Sequence, residues 1–253
     1  GLSLTSNTSG SWNTAIGYEA LKKNTSGYLN TAIGFNALFE NTTGQANVAI
    51  GSNALSKSLT TSGSVAIGAG SLENSTAQSN TAVGYQSLYS NTTGYNNTGN
   101  GYQVLKNNTT GNYNSSFGYQ SLMANTIGSS NIAIGQSALL ENDEGSNNVA
   151  IGSFALQKNK VASSGSIGGQ GFNNVAVGSW ALQNAMSNSN VAIGAEVLKN
   201  LTSGSQNTGL GEHSMRSLIT GGQNVAVGYM SMIDAGSDVS NLVMIGRSRS
   251  EEH

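Results

Sequence analysis

Most catalytic and metal sites are built from carboxylates, imidazoles and thiols, and this chain is poor in all three. Its 253 residues hold 12 Asp and Glu, 2 His and no Cys. Glu141, Asp143 and Glu144 form the one acidic group. They lack the alternating oxygen-ligand pattern of a calcium loop and read as a solvated turn. His213 has no second His or Cys near it, so no metal site is expected, and His253 in the tail adds nothing. Glycoside hydrolysis needs two carboxylates about 5 to 9.5 Å apart. Glu19 and Glu196 share a repeat position but lie far apart in the chain, so a fibre-borne polysaccharide depolymerase would need acids paired across subunits. Gly168-Gly169-Gln170-Gly171 is not followed by Lys-Ser/Thr or by a helix, so it is not a phosphate loop. No residue is assigned to catalysis, no cofactor is expected, and the chain reads as a non-enzyme.

Aromatic rings are the stronger candidates for contact. Tyr18, Phe35, Tyr85, Tyr102, Tyr119 and Tyr229 each follow a recurrent glycine. Stacked rings at such spacing form a carbohydrate-facing strip or pack coil on coil, and packing is the favoured reading. Phe154 and Trp180 sit one position later and flank a glycine-rich insertion that also contains Phe172. That region is the best single choice for a contact surface, because loops on a rigid scaffold carry recognition. Thr pairs at 42/43, 92/93 and 109/110 suggest an ice-binding face. Leu59-Thr60-Thr61, Ile127 and Asp143-Glu144 interrupt that array.

What positions these residues is a repeat. Gly17, Gly34, Gly51, Gly68, Gly84, Gly101, Gly118, Gly135 and Gly152 recur almost every seventeenth residue. After an insertion at about 159–173 the series resumes at Gly178, Gly194, Gly211, Gly228 and Gly246. A fixed period of this kind signals a solenoid. The period is too short for a helix pair, and a glycine and an Asn-Thr-Gly turn in each repeat disfavour helices. The reading is therefore all-β: a parallel β-solenoid (β-roll) of about fourteen 17-residue coils, roughly 65 to 70 Å long at a strand spacing of about 4.8 Å. It forms a single domain over 1–246, with 247–253 as a polar C-terminal edge.

Within each coil, Asn47-Val48-Ala49-Ile50-Gly51 reads as a strand. Val48 and Ile50 share one half-buried face, and Ala49 lies on the other. The small Ala column implies close approach by another backbone. A large apolar residue four positions after the glycine, such as Leu21, Leu38 or Leu55, is placed on a second short strand or corner closing the same core. The Asn column through Asn13, Asn30 and Asn47 is expected to form an amide ladder. Asn100 falls in the Ile column, where burial would demand partners. Ser115-Ser116 weakens the coil that follows.

Composition agrees with this shape. Charged residues are 9%, against about 25% in a typical domain. A net charge of -2 argues against nucleic acid and anionic membranes as partners. There is no Pro to interrupt a ladder. No apolar run approaches the roughly 20 residues of a membrane span. Gly1 in place of an initiator Met suggests a piece of a longer protein.

The Asn-Val-Ala-Ile-Gly and Asn-Thr-Ala-Ile-Gly units resemble the head repeats of YadA-like trimeric autotransporter adhesins. The longer unit Asn13 to Gly27 is similar to repeat arrays in phage-type tail fibres. The resemblance covers about Asn13 to Gly246, although the adhesin repeat is shorter. It implies a homotrimer, which agrees with the thin core of a single coil: with only about three or four apolar side chains each, the coils gain from a trimer that buries the small Ala and Gly columns, or the leucines. It further implies a structural or adhesive fibre segment, extracellular on a virion or bacterial surface, with a host glycan or protein receptor as partner.

Overall fold

In a computed structural model of the chain, residues 2–160, 171–233 and 236–247 are described. Among them every regular element is a strand of three residues, one to each coil. Two compact units divide the chain, residues 1–128 and 129–253. The first holds β1 (Thr14–Ile16), β2 (Thr31–Ile33), β3 (Val48–Ile50), β4 (Val65–Ile67), β5 (Thr81–Val83), β6 (Thr98–Asn100) and β7 (Ser115–Phe117). The second holds β8 (Ile132–Ile134), β9 (Val149–Ile151), β10 (Val175–Val177), β11 (Val191–Ile193), β12 (Thr208–Leu210), β13 (Val225–Val227) and β14 (Val243–Ile245). Within each unit consecutive strands pair in parallel and in repeat register, Ala32 on Ala49 and Ala49 on Ala66. The expected parallel β-solenoid is the fold.

The faces of the strand are the reverse of what the leucine placement implied. The Ala column is fully buried, Ala32, Ala49, Ala66, Ala133 and Ala150 all at 0% exposure, and the leucines Leu21, Leu38 and Leu55 are buried with it. The flanking Val and Ile point outward. Ile16 is 59% exposed and Ile134 40%. The leucine therefore closes a core with alanine rather than with isoleucine, and it does so from a turn, since no second strand forms. The small column is met by side chains of its own coils rather than by another backbone. Alanine and leucine are thus already covered within one chain, so the expectation that a trimer buries them is corrected. Within one repeat the buried apolar side chains of the lumen are two small residues and one leucine, such as Ala37, Leu38 and Ala49.

Two compensating exchanges confirm how tight that lumen is. Gly99 and Gly209 replace the inward alanine, and Val104 and Val197 replace the small residue opposite. A Cβ on Gly99 would lie 3.3 Å from Val104 Cγ1, and one on Gly209 only 2.5 Å from Val197 Cγ1. In β7 the inward residue is Ser116, which stays buried by bonding Ser121 Oγ at 2.6 Å. Asn100 points outward and is exposed, so the partners a buried Asn would demand are not required.

Turns of such small radius need unusual backbone. Glu19, Leu21 and Leu29 have φ of 58°, 50° and 58°, and the pattern recurs from coil to coil. Left-handed conformation is costly for residues with a Cβ. Here it aims successive N–H groups along the coil axis. Leu21 N donates to Ala37 O of the next coil at 3.0 Å, and Leu29 N to Ser11 O of the previous one at 3.1 Å. Each bond satisfies a backbone group that the lumen would otherwise strand.

The asparagines form not one ladder but two. Asn30 donates through N and Nδ2 to Asn13 Oδ1, at 3.0 and 3.2 Å, and through Nδ2 to Gly44 O at 2.8 Å. Asn47 repeats this on Asn30, and in the second unit Asn148 on Asn131 and Asn207 on Asn190 do the same. The Asn of the Asn-Thr-x-Gly turn is fully buried, with Asn41 Nδ2 on Asn24 Oδ1 and Asn108 Nδ2 on Asn91 Oδ1. The turn glycine makes room for it: a Cβ on Gly94 would sit 2.5 Å from Asn91 Oδ1 and 2.8 Å from Asn108 Nδ2. Where Thr61 takes the glycine position, Ser58 replaces the Asn, and the second ladder stops at Asn41 Oδ1, which has no partner.

Overpacking makes the lumen testable. Gly209→Ala should lower stability by about 1–3 kcal/mol, the usual cost of an extra methyl in a full core. Adding Val197→Ala should recover most of that loss in thermal unfolding. A neutral Gly209→Ala variant would mean the valine does not face the glycine.

Candidate functional site

The aromatic positions are brought into stacks by the repeat itself, because rings one coil apart stand at strand spacing. In the first unit Tyr18 stacks on Phe35, with centroids 5.7 Å apart and planes at 8°. Tyr85, Tyr102 and Tyr119 form a three-ring stack at 5.5 and 5.3 Å. Beside it Gln120 Nε2 donates to Gln103 Oε1 at 3.1 Å, and Gln103 Nε2 to Gln86 Oε1 at 3.0 Å. The rings are about half exposed, Tyr18 at 52% and Tyr102 at 43%. They pack coil on coil while leaving their edges in solvent, so the packing role read from sequence holds and a solvent-facing strip remains.

In the second unit Phe154 and Trp180 stack across the insertion, at 6.0 Å and 4°. The insertion does not disturb the register: Val149 pairs with Val175. Asn159 Nδ2 bonds Gly171 O at 3.0 Å, which ties one foot of the loop to the other. Phe172 does not join the Trp180 stack. It stands three residues before β10, where its N–H donates to Asn188 Oδ1 at 2.8 Å. Residues 161–170 of the insertion, including Gly168, Gly169 and Gln170, lie outside the described residues. So do Asp234 and the tail residues Arg249, Glu251, Glu252 and His253.

Charge gathers next to Trp180, a feature not read from the sequence. Lys199 Nζ sits 5.0 Å over the Trp180 ring and 3.0 Å from Glu196 Oε1. Glu196 Oε2 lies 2.8 Å from Arg216 Nε and 3.4 Å from His213 Nδ1. Neither approach is aligned as a hydrogen bond, so Glu196 Oε2 rests on its ion pair with Arg216 and His213 Nδ1 is left without a hydrogen-bond partner among the described residues. His213 also packs edge-on against Tyr229 at 6.2 Å. The hydrogen bond from Lys199, aided by the nearby Arg216 and His213 and opposed by desolvation, holds the Glu196 carboxyl below its ordinary range. These residues stand one coil apart or three residues apart, a relation visible only once the repeat is laid in register.

Several other acids are similarly engaged. Glu19 bonds Lys22 at 2.6 Å, the counterpart of Glu196 with Lys199. Glu141 pairs with Lys160 at 2.8 Å, and this pairing raises the lysine pKa. Asp143 Oδ1 accepts from Glu144 N within its turn. Among the described residues there is no group of three His, Cys, Asp or Glu able to hold a metal. No helix there is long and apolar enough to cross a membrane. Among the described residues only the first hydroxyl of each Thr pair is committed: Thr42, Thr92 and Thr109 Oγ1 each donate to a carbonyl of the next coil. That weakens the ice-binding option.

The sign of the Glu196 shift gives a pH test. A depressed carboxylate pKa adds stability above its unfolded value of about 4.3 and loses it as pH falls through the lower folded value. Glu196→Gln should therefore melt below the parent protein at pH 7, with the gap closing below about pH 4. A gap unchanged from pH 7 to pH 3 would remove the ion cluster as its cause.

Comparison with protein-family models, with curated proteins and with solved structures gave no match to this chain.

Proposed function

We propose that this chain is a structural, adhesive segment of a homotrimeric fibre, extracellular on a virion or bacterial surface, and that it acts in attachment to a host glycan or protein receptor. The observation carrying this reading is the outer face of the strands. In the second unit its two columns run Ile132, Val149, Val175, Val191, Thr208, Val225, Val243 and Ile134, Ile151, Val177, Ile193, Leu210, Val227, Ile245. One residue of the fourteen is polar. Surfaces of this kind, apolar and continuous over several strands, mark association sites. The core needs no partner, because alanine and leucine are fully covered. The β-branched outer columns do.

Self-association fits better than a foreign partner, since a periodic face is complementary to its own copy in the same register. The likeness of the Asn-Val-Ala-Ile-Gly unit to trimeric adhesin heads supports three chains rather than two. Acids held in local ion pairs support a structural role over a depolymerase.

Sedimentation equilibrium at micromolar concentration tests the assembly. The expected mass is three times the 25.8 kDa chain. Ile151→Asp, on the outward face of β9, should shift that mass toward the single chain while the β circular-dichroism signal persists. A monomeric parent protein would overturn the proposal.

A further inference from the structure

One coil of the first unit is short. Gly68 and Gly84 are sixteen residues apart, where Gly51 to Gly68 and Gly84 to Gly101 are seventeen. The lost residue comes from the turn before β5. In the following coil three successive N–H groups, of Thr92, Thr93 and Gly94, converge on Thr109 O at 2.9, 3.1 and 3.2 Å. In the short coil Thr76 N reaches Thr92 O at 2.9 Å, and the chain then cuts across to Ser79, whose N–H donates back to Ser62 O at 3.2 Å. The neighbouring coils stay in register, so the missing residue leaves a cleft of about 420 Å³. That is within the range of small-ligand sites, about 300–1,000 Å³.

The lining selects the ligand. Thr76, Gln78, Ser79, Thr93, Tyr95 and Asn96 surround the cleft. None of them carries a charge, so neither a phosphate nor a cation finds a counter-ion there. One ring and Ala77 are the apolar parts, too few for a hydrocarbon ligand. Tyr113 packs edge-on against Tyr95 from the following coil, at 5.2 Å and 78°, and so fixes the ring. Thr76 Oγ1 is committed to Thr92 O at 3.0 Å. The side chains of Gln78, Ser79, Thr93 and Asn96 make no hydrogen bond among the described residues. This contrasts with the ladder amides, which are spent on one another. A fixed aromatic ring beside amides and hydroxyls with open valences suits a molecule with apolar C–H faces and many neutral hydroxyls.

We propose that this cleft binds a neutral saccharide, one or two sugar units in length, packed on Tyr95 and hydrogen-bonded by Gln78, Ser79, Thr93 and Asn96. The proposal deepens the attachment reading and rests on it for its biological sense, but its geometry lies within one chain and needs no trimer.

The test is titration of the intact chain, followed by NMR or calorimetry, with cellobiose, maltose, lactose and N,N′-diacetylchitobiose up to about 10 mM, in the weak range expected of an open cleft. At least one sugar should bind. Tyr95→Ala and Gln78→Ala should each weaken it at least about tenfold, as loss of a central contact does, while Trp12→Ala, at an exposed ring before β1 that does not line the cleft, leaves it unchanged. Inserting one Gly between Ala77 and Gln78 should restore a seventeen-residue coil, close the cleft and abolish binding without lowering the melting temperature. No binding by any of the four sugars overturns the proposal, and so does binding that survives Tyr95→Ala or the insertion. Sedimentation of the same samples distinguishes failure of the cleft from failure of the fibre reading, because a trimer can lack the site and a monomer can have it.

Discussion

Within each unit of this protein every coil must lie on the next at strand spacing, so that a residue meets its own counterpart one period away. At the repeat glycines the approach is backbone on backbone. A Cβ on Gly34 would stand 2.6 Å from Gly51 O and 2.7 Å from Gly51 C. With φ near +134° at Gly17 and Gly34, no other residue fits without parting the coils. Once that distance is set, amides stack on amides at hydrogen-bond length and rings on rings at stacking length. A buried asparagine, expensive alone, becomes cheap when the coil before and the coil after each supply a partner. The two Asn ladders, the tyrosine stack and the Gln ladder are consequences of one spacing.

The same spacing sorts the side chains into inside and outside. The apolar side of the lumen is filled mostly by alanine and leucine, with exchanges such as Gly209 against Val197 showing how little slack it has. The larger β-branched residues are therefore turned out, where a strand of three residues cannot cover them. An apolar outer face is the structural price of a narrow coil, and it is this face that the proposed association among chains would remove from water. The chain departs from the period in the short turn at Thr76 to Ser79 and in the insertion entered at Lys160, whereas the charged cluster around Glu196 uses the period to join residues of successive coils.

The architecture was legible because a glycine and an Asn-containing strand recur at nearly constant intervals, and periodicity of that strength leaves little choice of fold. The first Asn ladder and the packing role of the aromatics were legible for the same reason. Which face of the strand is buried was not. Alternation tells that Ala49 opposes Val48 and Ile50, and the usual preference would bury the larger pair. Only the lumen's width reverses it. The second ladder was hidden because Asn24 and Asn41 sit in an Asn-Thr-x-Gly phrase that reads as an ordinary turn. The Glu196 cluster joins residues in successive coils, so its members look scattered until their repeat positions are aligned. Phe172 was grouped with Trp180 by nearness in sequence, although it stands at a different position in the coil.

The central claim is that buried side-chain amides, stacked coil on coil, tie the solenoid together. Hydrogen exchange of the asparagine side-chain NH₂ groups, read by NMR on protein labelled with ¹⁵N at Asn, addresses it directly. The amides of Asn30, Asn47, Asn108 and Asn148 should exchange far more slowly than those of the exposed Asn96, Asn107 and Asn200. If all the asparagine side chains exchange at one solvent-limited rate, the ladders do not exist in solution and the account fails at its foundation.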